Sequence, residues 1–291
     1  MARALVIGGT GFIGAPVTRR LIDAGFAVTV LHRGQTQSPL TRDAEHVRDP
    51  SAAYPITTFP QAVVRDWDIL VHMVAMGAAD AETAARLFAG RVGRLVLISS
   101  GDVYRAYGRL IRLEPGEPDP TPLTEDAPLR SVLHPYRGKA ATIGPHADMY
   151  EKILAERAIV DGIDLPWVVL RLPKVYGRTG ELSSVYGFAA QSHWRWTHGQ
   201  VDNVAHAVFL AATHSAASRT VFNVGEATTP TMGERLARLP PRPARQAPDF
   251  DFRNDIAYDT GRIRAMLGFA EVVDETDAMW ALAQAAAAPE N

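Results

Sequence analysis

Short apolar runs rich in Val, Ile and Leu recur along the chain at Ala4–Ile7, Ala27–Leu31, Asp68–Val74, Arg94–Ser99 and Trp167–Leu172. Runs of this length and continuity read as strands buried on both faces. Between them lie helical patterns, clearest at Ile13–Ala24, Ala79–Phe88 and Met149–Val160. Strand–helix alternation predicts an α/β fold built on a doubly wound parallel sheet with helices on both sides. A later helix at Asn203–Ala212 and a strand at Thr220–Val224 read as a return to the same sheet. The expected division is a sheet domain of 1–175 and 198–225, with 176–197 and 226–291 forming a small substrate-binding lobe.

Two stretches interrupt the alternation. Arg105 to Ala147 holds seven prolines between Pro115 and Pro145, which predicts a loop longer than a compact domain carries without a use, and so a wall or lid of an active site. Leu239–Pro248 reads as an extended connector, and the alanine-rich end after Ala281 is expected to fray.

Composition narrows the partners. Thirty basic and 32 acidic side chains give a net charge of −2 in 291 residues, so no strong field gathers phosphate polymers or an anionic membrane, and neither nucleic acid nor membrane is an expected partner. A small-molecule substrate is expected, with a homodimer as a further possibility. The absence of cysteine rules out disulfides and thiolate chemistry. The histidines show no metal-ligand spacing, so no metal site is expected. The chain runs from Met1 directly into a strand pattern without a secretory leader, and its apolar run Ile69–Ala79 is far shorter than the roughly 20 residues of a membrane span. A cytoplasmic location is the expectation.

Gly8-Gly9-Thr10-Gly11-Phe12-Ile13-Gly14 follows a strand and opens a helix. In that context the glycines have separate uses: Gly8 for a tight turn, Gly11 for the approach of a pyrophosphate to the backbone, Gly14 for close packing of helix on strand. The anion then meets free N–H groups at the positive end of the helix dipole. Gly8, Thr10, Gly11, Phe12, Ile13 and Gly14 are therefore the expected dinucleotide contacts, and the architecture is a Rossmann fold. Sites selective for NAD carry an acid about 20 residues later, at the end of the second strand. Here that position reads Leu31-His32-Arg33-Gly34, with no carboxylate. Arg33 offers a planar fork for a 2′-phosphate, so NADP is the expected cofactor and NAD the alternative. The competing reading of Arg33 is a solvated surface side chain.

These motifs, with Leu97-Ile-Ser-Ser-Gly-Asp-Val-Tyr104, Leu123-Thr-Glu-Asp-Ala-Pro-Leu129, Lys152-x-x-x-Glu156, Arg171-Leu-Pro-Lys-Val-Tyr-Gly177 and Asp259–Phe269, make the chain resemble the extended short-chain dehydrogenase/reductases, the NAD-dependent epimerase/dehydratase family. The resemblance covers nearly the whole chain. It implies Ser100 as the hydroxyl that meets the substrate oxygen, and Lys152 as the lysine that binds the nicotinamide ribose and activates a tyrosine. Lys139 is the competing lysine, but Gly144-Pro145 would break a helix running from it, whereas Lys152 sits in the helix leading to Trp167–Leu172.

The chain departs from the family at the tyrosine. A Tyr four residues before the Lys would share its helix face, yet Asp148 stands there and Tyr150 is two residues away, about 200° round a regular helix. Asp148-Met-Tyr-Glu151 reads as a capping box that places Tyr150 in the first helical turn. Tyr150 is the first candidate for acid/base work, Tyr136 and Tyr104 are the alternatives, and a site without a catalytic Tyr is the third reading. Few residues separate Gly177 from Trp194, which argues against a large nucleotide-sugar substrate. Ser192–His198 is expected either to line a small pocket with Arg195 or to place Trp194 and Trp196 on one side of a core strand. Together these readings predict an NADP(H)-dependent oxidoreductase or epimerase acting by hydride transfer on a small hydroxy or carbonyl compound. The alternative is a dinucleotide-binding protein without turnover, a redox-responsive or RNA-associated partner.

Overall fold

The computed structural model describes residues 1–162, 164–177, 182–242 and 247–285. Residues 178–181, the 243–246 part of the expected Leu239–Pro248 connector and the alanine-rich end beyond 285 lie outside the described residues.

The main sheet has seven strands, β1 (Arg3–Ile7), β2 (Ala27–His32), β3 (Glu45–Arg48), β4 (Trp67–His72), β5 (Val92–Ser100), β6 (Trp167–Leu172) and, after the short β7 (Lys174–Tyr176) and β8 (His198–Gln200), β9 (Thr220–Asn223). Their order is β3-β2-β1-β4-β5-β6-β9. β1 pairs in parallel with β2 and with β4, β2 with β3, and β4 with β5. The order reverses beside β1, and ligands of open α/β sheets bind outside the carboxyl ends of the strands at such a point.

Each apolar run forms the strand expected of it to within a few residues. β3 has no such run: Glu-His-Val-Arg is an edge strand with only Val47 partly buried, so neither continuous burial nor alternation marks it. The strands need both faces covered, and the helices Gly14–Asp23, Ala78–Phe88 and Lys152–Val160 supply that cover. Leu5, Ile7, Leu70, Leu95 and Leu97 of the sheet join Ala81, Ala84, Phe88, Ala155 and Ile159 in one buried cluster. At about 25 cal/mol per Å² of apolar surface removed from water, this packing holds the strand ends in place.

The chain divides into two compact units. The first comprises Met1–Ser100, Leu133–Arg171 and Ala205–Phe222, and carries the sheet. The second comprises Gly101–Val132, Leu172–Val204 and Asn223–Asn291. It includes the parallel pair β7–β8 and an aromatic cluster in which Phe188 contacts Trp194, Trp196, Phe250 and Phe252.

The proline-rich stretch is more ordered than its composition predicts. It contains helices at Arg105–Leu110 and Ala140–Ile143. Arg105 and Arg109 converge on the buried carboxylate of Asp119 at 2.5 and 3.1 Å, and Glu114 accepts from the backbone of Ser131 and Val132. These contacts to the buried carboxylates of Asp119 and Glu114 add to the buried Ala106, Leu110 and Leu123 side chains of the same stretch.

Candidate functional site

The glycine loop leaves β1 with Gly8 at φ +83°, and the Gly8 N–H donates to Leu31 O on β2 at 2.8 Å. A Cβ on Gly14 would lie 2.3 Å from Gly8 O and 2.9 Å from Gly9 Cα, so only glycine lets the helix start that close to the strand. Gly11 differs: a Cβ there would meet nothing nearer than Gly8 O at 3.8 Å. Protein packing does not demand a glycine at that point, and the bare backbone faces space. That space is a cavity of about 230 Å³ lined by Gly8, Thr10, Gly11, Arg33, Asp49, Tyr54 and Val74 among others. Of the expected contacts, Phe12, Ile13 and Gly14 do not line it. Phe12 is exposed, Ile13 is the residue before the helix, and Gly14 acts through packing.

The Arg33 guanidinium lies 5.0 Å from the centroid of the Tyr54 ring, within cation–π range. Burial, before any charge, pushes the Tyr54 hydroxyl above its ordinary pKa, so the ring stays neutral under the cation. Sequence reasoning missed Tyr54 and Asp49, because both follow the unrecognised strand β3. Asp49 does bring a carboxylate to the cavity, from β3 instead of β2. Its Oδ1 is engaged by the Ser51 hydroxyl at 2.6 Å and by the Ser51 N–H at 3.1 Å.

Around Lys152 the structure corrects one expectation. Asp148 does not cap the helix; its carboxylate accepts from Gly138 N–H at 2.6 Å. The N-cap is Glu151, extended at φ −158°, and the helix begins at Lys152. Glu151 wins because its fully buried carboxylate serves two donors, Ile153 N–H at 3.0 Å and the His134 N–H, and a cap that satisfies a second orphan group outweighs an exposed Asp. Tyr150 therefore precedes the helix, and the 200° separation of helical neighbours does not apply to it. Its ring centroid lies 5.6 Å from Lys152 Nζ, 5.1 Å from the Tyr136 ring and 6.4 Å from the His146 ring.

Lys152 is 6% exposed and donates to the carbonyls of Ala75 at 2.6 Å and Ile98 at 3.0 Å. These carbonyls lie just past β4 and near the end of β5, so the ammonium sits at the carboxyl edge of the sheet. Its field reaches its neighbours. Complete burial, then the Lys152 charge, pushes His72 down to about 3, leaving a neutral imidazole. His146 is lowered by burial, then by Lys152 and Arg33. Asp80 is raised by burial against the N–H bonds of Ile56 and Gly77 and the Lys152 charge. Lys139 is exposed and precedes the short helix that ends at Gly144.

Successive residues of a strand face opposite ways. Ser99 Oγ donates to Glu156 Oε1 at 2.5 Å, and Glu156 is gripped by Arg171 at 2.8 and 3.0 Å. Ser100, half-buried at the end of β5, belongs to the other face. Tyr104 is fully buried in the second unit with its hydroxyl donating to Asn223 Oδ1 at 2.6 Å, which ties that oxygen into the core. Trp194 is likewise core: it is 2% exposed, and its indole N–H donates to Asn254 O at 2.9 Å.

Arg195 does line a cavity, of about 500 Å³, with Thr229, Tyr258, Asp259 and Arg264 in the second unit. A smaller one of about 250 Å³ in that unit is lined by Glu226, Arg235, Arg238, Glu271 and Glu275. Burial, then the neighbouring Glu226, raises Glu275 to about 9. No His/Asp/Glu group among the described residues is arranged to hold a metal, and no helix among them is long and apolar enough to cross a membrane.

The description of the NAD dependent epimerase/dehydratase family matches residues 4–225. No curated protein matches the sequence. Solved structures do share the fold. A UDP-glucose 4-epimerase from Thermotoga maritima, solved with UDP-glucose, is 18% identical with a TM-score of 0.65 over 97% of each chain. An NAD-dependent NDP-hexosamine 5,6-dehydratase of tunicamycin biosynthesis is 16% identical with a TM-score of 0.70, over 97% of this chain and 96% of that one. The Bordetella bronchiseptica enzyme WbmG, solved with NAD, is 16% identical with a TM-score of 0.67, over 97% and 93%.

Proposed function

The chain belongs to the NAD-dependent epimerase/dehydratase family, and from that premise we propose that it is an NADP(H)-dependent oxidoreductase or epimerase acting on a hydroxyl or carbonyl carbon. The observation that carries the reading is Lys152, buried at the sheet's carboxyl edge on two backbone carbonyls with the Tyr150 ring 5.6 Å away. The same compact unit holds the glycine-loop cavity.

The open face at Gly11 and the clash that forbids a side chain at Gly14 fit a pyrophosphate resting on the loop. Arg33 meets the adenosine ribose, where its fork suits a 2′-phosphate. When bound, the nicotinamide supplies the chemistry of accepting or returning a hydride. The chain's own residues do the rest. Ser100 donates to the reacting oxygen, Lys152 holds the nicotinamide ribose and stabilises negative charge nearby, and Tyr150 moves the proton.

Sugar nucleotides belong among the substrates to be tried, because this chain covers 97% of the epimerase solved with UDP-glucose. The test follows absorbance at the wavelength of the reduced cofactor with NADP⁺ or NADPH and a panel of hydroxy and carbonyl compounds, UDP-sugars included. An oxidoreductase shows net change. An epimerase shows none, because the hydride taken from the carbon is returned to it, and is read instead by inversion of configuration at that carbon in the recovered compound. Neither signal, with dinucleotide demonstrably bound, would leave a binder without turnover.

Arg33→Ala tests the cofactor preference. Loss of a charge-assisted contact costs about 1.5–3 kcal/mol, so NADP⁺ affinity is expected to fall roughly tenfold to hundredfold while NAD⁺ affinity barely moves. Calorimetric titration of both nucleotides reads it, and equal affinities in the unmutated protein would remove the argument.

A further inference from the structure

The end of β2 is held by a hydrogen-bond chain whose two termini have fixed polarity. Gly34 N–H donates to His32 Nδ1 at 3.1 Å, His32 Nε2 lies 3.1 Å from His46 Nδ1, and His46 Nε2 lies 2.8 Å from Thr41 O. A backbone N–H only donates and a carbonyl only accepts. His32 Nδ1 is therefore bare, and its proton is on Nε2, where it is given to His46 Nδ1. His46 in turn carries its own proton on Nε2, for Thr41. The polarity of the two ends leaves both rings neutral and in a single tautomer each. The rings stand 87° apart with centroids at 5.1 Å, an edge-on meeting that suits an N–H aimed at a ring nitrogen.

The relay borders the nucleotide cavity. His32, Arg33, Gln35 and Thr36 line it, and Gly34, at φ +83°, is the turn between them. Thr36 Oγ1 meets Thr10 Oγ1 of the glycine loop at 2.8 Å. Charged and titratable groups face His32 from β3 and from its own loop: His46 and Arg48 on β3, Asp49 just beyond it with its N–H on His32 O at 2.9 Å, and Arg33 beside it.

We propose that His32 and His46 are positioning residues, a neutral two-histidine relay that fixes the Arg33–Thr36 loop for the dinucleotide and that a single proton on either ring breaks. A proton on His46 puts an N–H on Nδ1 against the N–H of His32. His32 then shifts its own proton to Nδ1, where it faces the Gly34 N–H. A proton on His32 does the same directly. In each case Gly34 loses its acceptor and the turn that aims Arg33 loses its tether. Burial first, then His46 and Arg48, lowers the His32 pKa from 6.5. The neutral form is thus the one the fold favours, and the relay's contribution is present above that ordinary value and lost as pH falls through the lowered one.

The proposal rests on the reading that this cavity takes a dinucleotide, and the experiment separates the two. NADP⁺ and NAD⁺ are titrated calorimetrically at about pH 8 and about pH 5 against the unmutated protein and His32→Asn. The Asn carboxamide can accept from Gly34 N–H as an Asx turn and does not titrate. The 2′-phosphate of NADP⁺ titrates equally for both proteins and cancels. The unmutated protein is expected to lose about fivefold or more affinity beyond what His32→Asn loses, the worth of one ordinary hydrogen bond. Equal losses overturn the relay. Failure of the NADP reading looks different: NAD⁺ and NADP⁺ then bind alike at high pH, and the comparison with NAD⁺ still decides the relay. Nitrogen-15 spectra of the cofactor-free protein at high pH give a second readout, independent of the variant's folding. Both rings are expected as the Nε2–H tautomer, and an Nδ1–H signal from His32 overturns the proposal.

Discussion

Lys152→Met is expected to suppress turnover by at least about 100-fold while weakening dinucleotide affinity by only about tenfold. The asymmetry follows from two uses of one ammonium. In the ground state it is a hydrogen-bond donor held at the sheet edge by the carbonyls of Ala75 and Ile98. In the transition state it also stabilises negative charge developing as a proton leaves a nearby oxygen, an interaction the ground state does not make. Met fills similar volume and removes only the charge and the donors, so the loss is not one of packing. Single-turnover rates and calorimetric dissociation constants measured on the same preparation separate the two contributions. A protein that only binds would show the whole change as affinity, and that result would end the enzymatic reading.

Tyr150→Phe is expected to lower turnover by about 10²–10⁴-fold, the usual worth of a placed proton donor, with dinucleotide affinity nearly unchanged. The expectation depends on the helix beginning at Lys152. Because Tyr150 precedes the helix and its extended N-cap Glu151, its ring can sit near the Lys152 ammonium at 5.6 Å, which positions two apart in a regular helix would forbid. Packing against Tyr136 and His146 limits the rotamers open to it. A loss under about fivefold would move the proton to Tyr136 or water, since Tyr104 is committed to Asn223 in a fully buried bond.

Local order along the chain determined the sheet's continuous strands, the glycine turn and the helix that carries Lys152. Each rests on a signal carried by neighbouring residues: unbroken apolar runs for β1, β2, β4, β5 and β6, the glycines at 8, 11 and 14, and a lysine beyond a helix break at Gly144. Gly14 is the sharpest case, since the 2.3 Å approach to Gly8 O is what the spacing implied.

The rest was decided by partners distant in sequence. Edge strand β3 is polar and is defined by its pairing with β2, so nothing local announced it, and Asp49 and Tyr54 went unread with it. The helix start was misplaced because Asp148 is a good N-cap on local grounds and Glu151 reads there as its capping-box partner. The choice fell to Glu151 through the His134 N–H, 17 residues upstream, a donor that only the folded chain brings within reach. The environment of Lys152 was out of view for the same reason: its acceptors are 77 and 54 residues away. A hydrogen bond to a remote carbonyl leaves no trace in local spacing, and it is such bonds that aim the buried polar groups of this site.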